Sequence, residues 1–464
     1  MIETSLVNNL LRTPAARRVG KTVVPEATRV AGDQLIRKGS KIGEAVRKAL
    51  VPSNERTIAY AQVNTLGKVE DVWLKGHSEQ VNEIADKLIA EIGQAQHEVR
   101  LQTFVIDFNA ASFKKLMAAL AEKQRQNPAF KVMINYGGEF RFHLNPKIAV
   151  GSLGKAWTSA DLKAALHQHG VEAQVASFIR VPNLNVLHSK TVIIDGKIAL
   201  VGSANLTDTQ SKEVVVKVTG PVVEAFLQDF ESGFAASAHR FHVTQDGVTE
   251  LGAKDLWAAP AVDRTVSKGM VPLTFLSKPA GGEYLASDAT RGLLAAIGAA
   301  ESEIKLFSPN FNNPDVWQAL VGAADNGVQV KIMLPKDFNN ARAAVDGGNN
   351  YQFLTRDLAQ LPPRLRRRIE VRWYSADGVS TGPATNHIKY ASIDGSWTYV
   401  GSQNFDNQAW KKSREAGLGI DDAAHTKALA KVLFDGDWAR ALPVTVPTMA
   451  KNPIRRFFQR WLGI

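Results

Sequence analysis

Two distant stretches of the chain carry the same sparse pattern of polar residues. The first, HSKTVIIDGKIALVGSAN, runs from His188 to Asn205, and the second, HIKYASIDGSWTYVGSQN, runs from His387 to Asn404. Each places Lys two residues after His, Asp five residues after Lys, and Gly-Ser-x-Asn at its end. With average residue usage, this spacing arises by chance on the order of a few times per million chains. The repetition therefore constrains the fold, and both stretches should form the same local structure.

In each stretch the apolar run after the Lys predicts a strand, TVIID in the first and YASID in the second. Side chains two apart in a strand project from one face, so His and Lys would point at the same ligand. The Asp-Gly pair that follows predicts a hairpin turn. The returning strand then brings Gly-Ser-x-Asn back beside the His and Lys.

The segments that precede the pattern are also duplicated. The helix and strand of KLIAEIGQAQHEVRL, from Lys87, correspond to those of GLLAAIGAAESEIKL, from Gly292. Two further strands in each half correspond as well: FKVMINYGG from Phe130 with VQVKIMLPK from Val328, and VEAQVASF from Val171 with IEVRWYS from Ile369. Helices that alternate with β-rich runs predict an α/β layered architecture. We therefore expect duplicated α/β sandwich domains in a bilobed molecule with pseudo-twofold symmetry.

The repeat also divides the chain into segments. Two similar halves packed about a pseudo-twofold axis would bring the repeated stretches together at one central site. Because one chain carries both half-sites, we expect a monomer. The expected segments are a basic helical amino-terminal arm (1–54), an N-terminal domain (55–245), a connector (246–264), a C-terminal domain (265–445) and a basic amphipathic helix (446–464).

Charge and composition limit the classes of partner. The 464 residues carry a formal net charge of +11, which favours an anionic partner. Ten basic and four acidic residues fall within the first 50, so this arm either packs on the body of the protein or binds a membrane or another partner. The absence of cysteine excludes disulfides and thiolate chemistry. With no apolar run of spanning length and no classical secretory signal, we expect a soluble or peripheral protein, cytoplasmic or exported by another route.

Two facing sets of His, Lys and Asn suit a phosphodiester. Lys190, Lys389, Asn205 and Asn404 could hold the non-bridging oxygens and stabilise developing charge without a metal or other cofactor. One imidazole could attack phosphorus while the other, protonated, gives a proton to the leaving oxygen. Water or another alcohol would then resolve the phosphohistidine. This mechanism explains why the pattern occurs twice.

The other positions of the pattern are assigned mainly to structure. Asp195 and Asp394 are expected to be turn-forming acceptors and partners of the lysines, because an Asp-Gly turn has a local reason to exist. The remaining structural members of the motif are Gly202, Ser203, Gly401 and Ser402.

Both stretches resemble the HKD motifs of the phospholipase D superfamily. The two copies match in full, and with the duplicated halves the resemblance covers about residues 70 to 440. It implies a bilobed α/β sandwich, metal-independent catalysis and a two-step phosphohistidine mechanism. It also implies that His188 is the nucleophile and His387 the general acid and base, although the sequence itself is symmetric on that point.

The resemblance adds two acidic residues to the candidate site. Members of the superfamily place a carboxylate shortly after Gly-Ser-x-Asn, where it orients a catalytic imidazole. Glu213 in SKEVVVKV and Glu415 in SREAGLGI stand at the matching positions. A carboxylate on the imidazole Nδ1 would fix its tautomer and support its cationic form.

The end of the chain bears on the substrate. In NPIRRFFQRWLGI an aromatic face containing Phe457, Phe458 and Trp461 lies opposite Arg455, Arg456 and Arg460 on a helical projection. Such a helix suits an anionic bilayer surface, and it could equally dock on the protein itself.

These features predict a phospholipase D that hydrolyses glycerophospholipid headgroups, with transphosphatidylation as a second activity. The segment after the second motif is similar to the cardiolipin synthase pattern, except that Asn407 and Gln408 replace its Arg-Ser pair. A cardiolipin synthase-like transferase is therefore the close alternative. The sequence is also compatible with a nuclease of the same fold, whose basic arm would bind nucleic acid phosphates, and with a non-catalytic lipid-binding module.

Overall fold

The first half of the chain forms a mixed β-sheet covered by helices. The structure is a computed structural model that describes residues 39–50, 66–78, 80–137, 159–180, 185–237, 239–281, 284–336, 338, 348–382 and 385–444. The helices up to the end of this half are α1 (Lys41–Leu50), α2 (Glu83–Gln94), α3 (Ala111–Gln126), α4 (Ser159–His169) and α5 (Val223–Ala235). The strands are β1 (Lys68–Lys75), β2 (Glu98–Thr103), β3 (Lys131–Tyr136), β4 (Ala173–Ser177), β5 (Ile179–Arg180), β6 (Asn185–Val186), β7 (Thr191–Ile194), β8 (Ile198–Gly202), β9 (Ser211–Thr219), β10 (His239–Thr244) and β11 (Gly247–Glu250).

The second half repeats this arrangement. Its strands are β12 (Leu273–Lys278), β13 (Glu303–Phe307), β14 (Gln329–Leu334), β15 (Ile369–Trp373), β16 (Thr385–Asn386), β17 (Tyr390–Ile393), β18 (Trp397–Gly401), β19 (Glu415–Ile420) and β20 (Leu442–Pro443). Its α-helices are α6 (Asp288–Gly298), α7 (Pro314–Asp325), α8 (Asn350–Arg356), α9 (Pro363–Arg366), α10 (Ala423–Ala430) and α11 (Gly436–Arg440). Short 3-10 turns occupy Ala253–Asp255, Tyr284–Ala286 and Leu358–Gln360, and π-helical turns occupy Gln408–Lys412 and Lys431–Asp435.

The two sheets have the same strand order. In the first, the parallel strands β2, β3 and β4 continue through β7, β8, β9 and β1, which run antiparallel to their neighbours. In the second, β13, β14 and β15 continue in the same way through β17, β18, β19 and β12. The predicted α/β fold class and the duplication are therefore confirmed.

The apolar core forms three layers, and the central one joins the two halves. The outer core of the first half packs α2, α3 and α4 on one face of its sheet, and the outer core of the second half does the same with α6 and α7. The inner faces of both sheets share a central core that contains α5 and α10. Phe226 of α5 and Phe275 of β12 meet in this core with ring centroids 4.2 Å apart. Each half therefore buries apolar side chains of the other half in this shared layer.

Helix α1 belongs to the second half in space. Ile42, Val46 and Leu50 are buried in its outer core, and Asp421 accepts hydrogen bonds from the Ser40 backbone N–H and from Arg47, each at 2.8 Å. This part of the amino-terminal arm therefore packs on the body of the protein, which was one of the two interpretations of the sequence. Residues 1–38 lie outside the described part of the chain.

The segment expected to be a connector contains regular structure at its start. Strands β10 and β11 form a hairpin that extends the edge of the first sheet beside β4. Strand β11 therefore lies within residues 246–264, where the sequence is polar and its period is weak. The domain boundaries stay a prediction. Among the helices that the structure describes, none is long and apolar enough to cross a membrane.

Candidate active site

Each repeated stretch forms the predicted hairpin. Strands β7 and β8 pair antiparallel, as do β17 and β18. Asp195 and Gly196 at the first turn have φ values of 52° and 64°, and Asp394 and Gly395 at the second have 52° and 58°. Asp is among the few residues other than Gly that adopt this left-handed conformation at modest cost. The Asp-Gly pair is thus required by the turn itself.

The two Asp side chains anchor these turns to the start of a neighbouring strand. Asp195 accepts hydrogen bonds from the backbone N–H groups of Gln96, His97 and Glu98 at 2.7 to 2.9 Å. Asp394 accepts the equivalent three bonds from residues 301 to 303 at 2.8 to 2.9 Å. The expected contact with the lysines of the motif is not formed, because these backbone groups occupy the carboxylates and each Lys turns toward its own His.

The Gly-Ser pair brings the next strand into close contact. A Cβ on Gly202 would collide with the backbone of Val214, and one on Gly401 would lie 2.6 Å from the Cα of Gly417. The adjacent Ser203 donates from its hydroxyl to Glu213, and Ser402 donates to Glu415 at 2.5 Å. Ser203 and Ser402 therefore hold the two carboxylates in place.

The His of each half contacts the Glu of the other half. Nδ1 of His188 lies 2.9 Å from Oε2 of Glu415, and Nδ1 of His387 lies 2.9 Å from Oε1 of Glu213. Both Glu side chains are buried, and each imidazole is only 12 % exposed. The sequence identified these four residues, and the structure joins them in crossed pairs.

The crossing follows from backbone pairing between the halves. Strand β16, just before His387, runs parallel to the start of β9, and Leu187, just before His188, bridges to Arg414. As a result the His188 N–H donates to the Arg414 carbonyl, and the His387 N–H donates to the Lys212 carbonyl, both at 2.9 Å. Each motif His is therefore held beside the residue that precedes the opposite Glu.

The two motif lysines lie between these carboxylates. Nζ of Lys190 donates to the His188 carbonyl at 2.6 Å, and Nζ of Lys389 donates to the His387 carbonyl at 2.5 Å. Burial lowers the pKa of Lys190 to about 8, although Glu415 and Glu213 both oppose the shift. Burial also lowers the pKa of Lys389 well below its usual value, although the Glu213 carboxylate acts to raise it. The two lysines and the two Glu side chains therefore share one low-dielectric region.

The carboxylates differ despite the symmetry. Burial would raise the pKa of Glu213, but His387, Lys389 and Ser203 together lower it. Burial raises the pKa of Glu415 to about 8, and the carboxylate of Asp406 adds to the rise, against Lys190, Ser402 and Lys278. Thr207 occupies the position of Asp406 in the first motif. The like charge of Asp406 thus gives the second half a feature that the first half lacks.

Imidazole and amide groups complete the site. Burial lowers the pKa of His387, while the Glu213 carboxylate opposes the shift. Phe104 packs against His188 with ring centroids 5.2 Å apart, and Phe338 packs against His387 at 5.6 Å. Among the described residues, no group hydrogen-bonds to the buried Oδ1 atoms of Asn205 and Asn404. These amides are therefore not fully used by the internal structure.

Sequence reasoning missed two ion pairs across the interface, one buried and one half-buried. Arg414 of the second half donates to Asp229 of α5 at 2.6 Å, and Lys212 of the first half donates to Asp437 of α11 at 2.8 Å. The residue before each candidate Glu is thus fixed to a helix of the opposite half. Comparing the residues that precede Glu213 and Glu415 would have shown a basic residue in both.

Sequence reasoning also missed two buried lysines. Lys75 at the end of β1 and Lys278 at the end of β12 are the register partners of Glu213 and Glu415. A lysine at the last position of the corresponding strand in both halves was the available signal. The predicted membrane-binding residues Arg455, Arg456, Phe457, Phe458, Arg460 and Trp461 lie outside the described residues.

Comparisons with known proteins agree with this architecture. A family model described as "Cardiolipin synthase, PLD-like domain" matches residues 88–236 and 293–438. Cardiolipin synthase A of Klebsiella pneumoniae is 25% identical over 368 residues, which cover 76% of this chain and 67% of that protein. Cardiolipin synthase B of Salmonella typhi is 24% identical over 374 residues, which cover 77% of this chain and 79% of that protein.

A solved structure shows the same fold. The phosphatidylserine synthase of Haemophilus influenzae Rd KW20 superposes with a TM-score of 0.57 at 14% sequence identity. The superposition covers 88% of this chain and 98% of that chain. At this identity the likeness concerns the arrangement of both halves and not the substrate.

Proposed function

The chain belongs to the phospholipase D superfamily, in the family of cardiolipin synthase PLD-like domains, and from this we propose that it is a phosphatidyltransferase. It would move the phosphatidyl group of a glycerophospholipid to the hydroxyl of an acceptor alcohol through a phosphohistidine. The observation that carries the proposal is the crossed pair of His–Glu contacts, because it unites both motifs in one site.

The first half-reaction would form the covalent intermediate. In its ionised form Glu415 accepts from Nδ1 of His188, which leaves the lone pair on Nε2 for attack on phosphorus. As the P–N bond forms, the P–O bond to the headgroup breaks. His387, protonated when the anionic phosphate is bound, gives its Nε2 proton to the leaving oxygen.

The second half-reaction would reverse these roles. Neutral His387 takes the proton of the acceptor hydroxyl, whose oxygen attacks phosphorus, and the bond to His188 breaks. Glu213 keeps the proton on Nδ1 of His387, so that Nε2 is the nitrogen that exchanges protons. Lys190, Lys389, Asn205 and Asn404 would bind the non-bridging oxygens throughout, in a buried site where each charge interacts strongly.

Transfer is favoured over hydrolysis as the main outcome. The two curated relatives compared with this chain are named as synthases, which supports the transferase over the hydrolase that the sequence predicted first. Water can take the place of the acceptor in the same second step. Hydrolysis to phosphatidic acid is therefore the second candidate activity of this site.

One assay separates the candidates. The full chain is incubated in EDTA with vesicles of phosphatidylglycerol and phosphatidylethanolamine, with and without a primary alcohol, and in parallel with single- and double-stranded DNA. We expect cardiolipin from phosphatidylglycerol, a phosphatidylalcohol when the alcohol is added, and undiminished activity in EDTA. Phosphatidic acid alone would assign a hydrolase, and cleaved DNA with intact lipid would overturn the lipid function.

Two variants serve as controls in this assay. His188→Ala and His387→Ala should each lose turnover while they keep the far-ultraviolet circular dichroism spectrum of the wild type. Near-normal turnover in either variant would contradict the two-His mechanism. Binding of the vesicles through the carboxyl-terminal helix, and a monomeric state, remain proposals that sedimentation with and without vesicles can test.

A further inference from the structure

Two buried lysines outside the motifs occupy equivalent places behind the candidate site. Lys75 ends β1 and is 2 % exposed, and Lys278 ends β12 and is 0 % exposed. Lysine is almost never fully buried without a specific interaction, because removing an ammonium group from water costs several kcal/mol. Two such residues at matching positions are a repeated feature of the architecture.

Both lysines contact the strand that carries a candidate Glu. Lys75 pairs in register with Glu213, and Lys278 pairs with Glu415, so each Lys lies directly across from its Glu. Nζ of Lys278 donates to the Ser413 carbonyl at 2.7 Å and to the Pro279 carbonyl at 3.1 Å. Nζ of Lys75 donates to the Thr209 carbonyl and, at 3.4 Å, to the Ser211 carbonyl.

The carbonyl groups of Ser413 and Ser211 that these lysines contact lie one residue before the carbonyl groups that hold the two motif His residues. Ser413 precedes Arg414, whose carbonyl accepts from the His188 N–H, and Ser211 precedes Lys212, whose carbonyl accepts from the His387 N–H. Each lysine therefore supports the segment on which the opposite His rests. A neutral donor could form the same bonds, so the charge of the lysine needs a separate explanation.

We propose that Lys75 and Lys278 are positioning residues whose buried positive charges stabilise the ionised forms of Glu213 and Glu415, and so favour in each motif His the tautomer with a free Nε2 lone pair. The inference rests on the proposed function, in which Nε2 attacks phosphorus or exchanges the proton. It assigns a role to two residues outside the HKD pattern.

The charges near Glu415 support this role. The carboxylate has a like charge from Asp406, and its buried position disfavours ionisation. Lys278 acts in the opposite direction, and Glu415 in turn raises the pKa of Lys278, which burial lowers to about 8. Charged or titratable groups that interact with one or both Glu side chains are His188, Lys190, His387, Lys389, Tyr399, Asp406 and Lys278, and Arg414 interacts with Lys278. Lys75 lies across from Glu213 in register and interacts with Asp208 and His77.

Loss of this charge has a definite sign. A nearby cation makes both a carboxyl group and an imidazolium lose their protons at lower pH. Removing the cation therefore raises the apparent pKa values of the coupled His–Glu pair. For His188–Glu415 the added proton blocks attack on phosphorus, so the acid side of the pH profile should move to higher pH when the charge of Lys278 is removed.

The test compares the pH dependence of kcat/KM in three variants of the full chain. Lys278→Gln keeps a hydrogen-bond donor and removes the charge, Lys278→Arg keeps the charge, and Lys217→Gln changes a half-buried Lys of β9 that pairs with Glu91 away from the site. We expect the acid limb to move up by about one pH unit in Lys278→Gln and to stay in place in the other two. Lys75→Gln should raise the apparent pKa of the His387–Glu213 pair, which gives its proton to the leaving oxygen, so the effect of this variant falls on the alkaline limb.

Two results would overturn the proposal. A Lys278→Gln profile that superimposes on the wild type would remove the role of the charge, and an equal shift in Lys278→Arg would assign the effect to shape. If Lys278→Gln does not fold, as thermal unfolding would show, Lys75→Gln decides through the apparent pKa of His387, which should rise; an unchanged value would overturn the proposal.

A measurement without substrate separates this inference from the proposed function. The imidazoles of His188 and His387 are titrated by NMR in protein with labelled histidine, and signals are assigned with the two His→Ala variants. A higher apparent pKa of His188 in Lys278→Gln supports the inference even if the wild type does not act on phospholipid. An unchanged titration in an active enzyme would refute the inference alone.

Discussion

At the scale of single residues, the crossed contacts divide the site into two functional pairs. His188 works with Glu415, and His387 works with Glu213, although each partner comes from the other half. A defect in one pair should therefore affect the step that its His performs, which is attack on phosphorus for His188 and proton transfer for His387. The separation is testable because a leaving group of low pKa does not need a proton from the enzyme.

The first prediction uses Glu→Gln variants with two substrates. Glu415→Gln should lower turnover at least about 100-fold with both a natural phospholipid and a p-nitrophenyl phosphodiester, because His188 loses the carboxylate that supports attack. Glu213→Gln should lose turnover on the phospholipid and keep the initial burst of p-nitrophenol. Exposed Glu250→Gln is the control. A burst retained in Glu415→Gln and lost in Glu213→Gln would reverse the pairs.

The second prediction concerns Lys190. Its pKa, lowered by burial to about 8, means that the cation is present at neutral pH and is lost as the pH rises above this value. The kcat/KM of the wild type should therefore fall by about tenfold per pH unit on the alkaline side, starting near pH 8. Protein returned from pH 9.5 to pH 7 should recover full activity. A constant kcat/KM up to pH 9.5 would contradict the prediction.

Much of the site at this scale was predictable from the sequence. Spacing alone identified His188, Lys190 and Asn205 with their counterparts, and the family resemblance added Glu213 and Glu415. The pairing was not predictable, because spacing within one half does not say which residues of the other half lie nearby. The prediction that Asp195 contacts the motif lysine was wrong, because its carboxylate accepts hydrogen bonds from three backbone N–H groups instead.

At the scale of elements, the hairpin of each motif depends on a turn that few residues tolerate. Asp195 combines a positive φ with three hydrogen bonds to the start of β2. The sequence predicted these hairpins, because Asp-Gly between apolar runs is a strong local signal. It did not predict the hairpin of β10 and β11, although Asp246-Gly247 stands between these strands, because the many polar residues of HRFHVT and GVTE leave only a weak apolar period.

The third prediction follows for Asp195→Ala. The variant loses a charged acceptor and places a Cβ without compensation in the left-handed region, so the free energy of unfolding should fall by roughly 3 kcal/mol. Urea unfolding measures the loss. Asp195→Asn, which tolerates the same φ, should lose less, and exposed Asp246→Ala should be near neutral. A loss below about 0.5 kcal/mol in Asp195→Ala would contradict this structural role.

At the scale of the whole molecule, the central core unites the halves. Phe226 and Phe275 meet across it, and ion pairs join Arg414 to Asp229 and Lys212 to Asp437. The duplication in the sequence predicted two halves and a common site. It did not predict how extensively the two halves bury each other. The apolar pattern of a sheet face is the same whether that face packs on a helix or on a second sheet.

The fourth prediction is that the chain unfolds in a single thermal transition. Neither half can lose its structure without exposing the central core, so the two should melt together. Phe226→Ala should lower the temperature of that transition, at a cost of about 3 to 5 kcal/mol. Differential scanning calorimetry is the measurement. Two resolved peaks, with one unaffected by the substitution, would show that the halves are independent.

The crossed arrangement also sets rules for recombination between relatives in laboratory evolution. A chimera that joins the first half of one homologue to the second half of another inherits each His from one parent and the carboxylate beside it from the other. The same applies to residue 414 with residue 229, and to residue 212 with residue 437. A crossover in the middle of the chain therefore separates these pairs, whereas exchanging them as matched sets keeps every buried charge compensated.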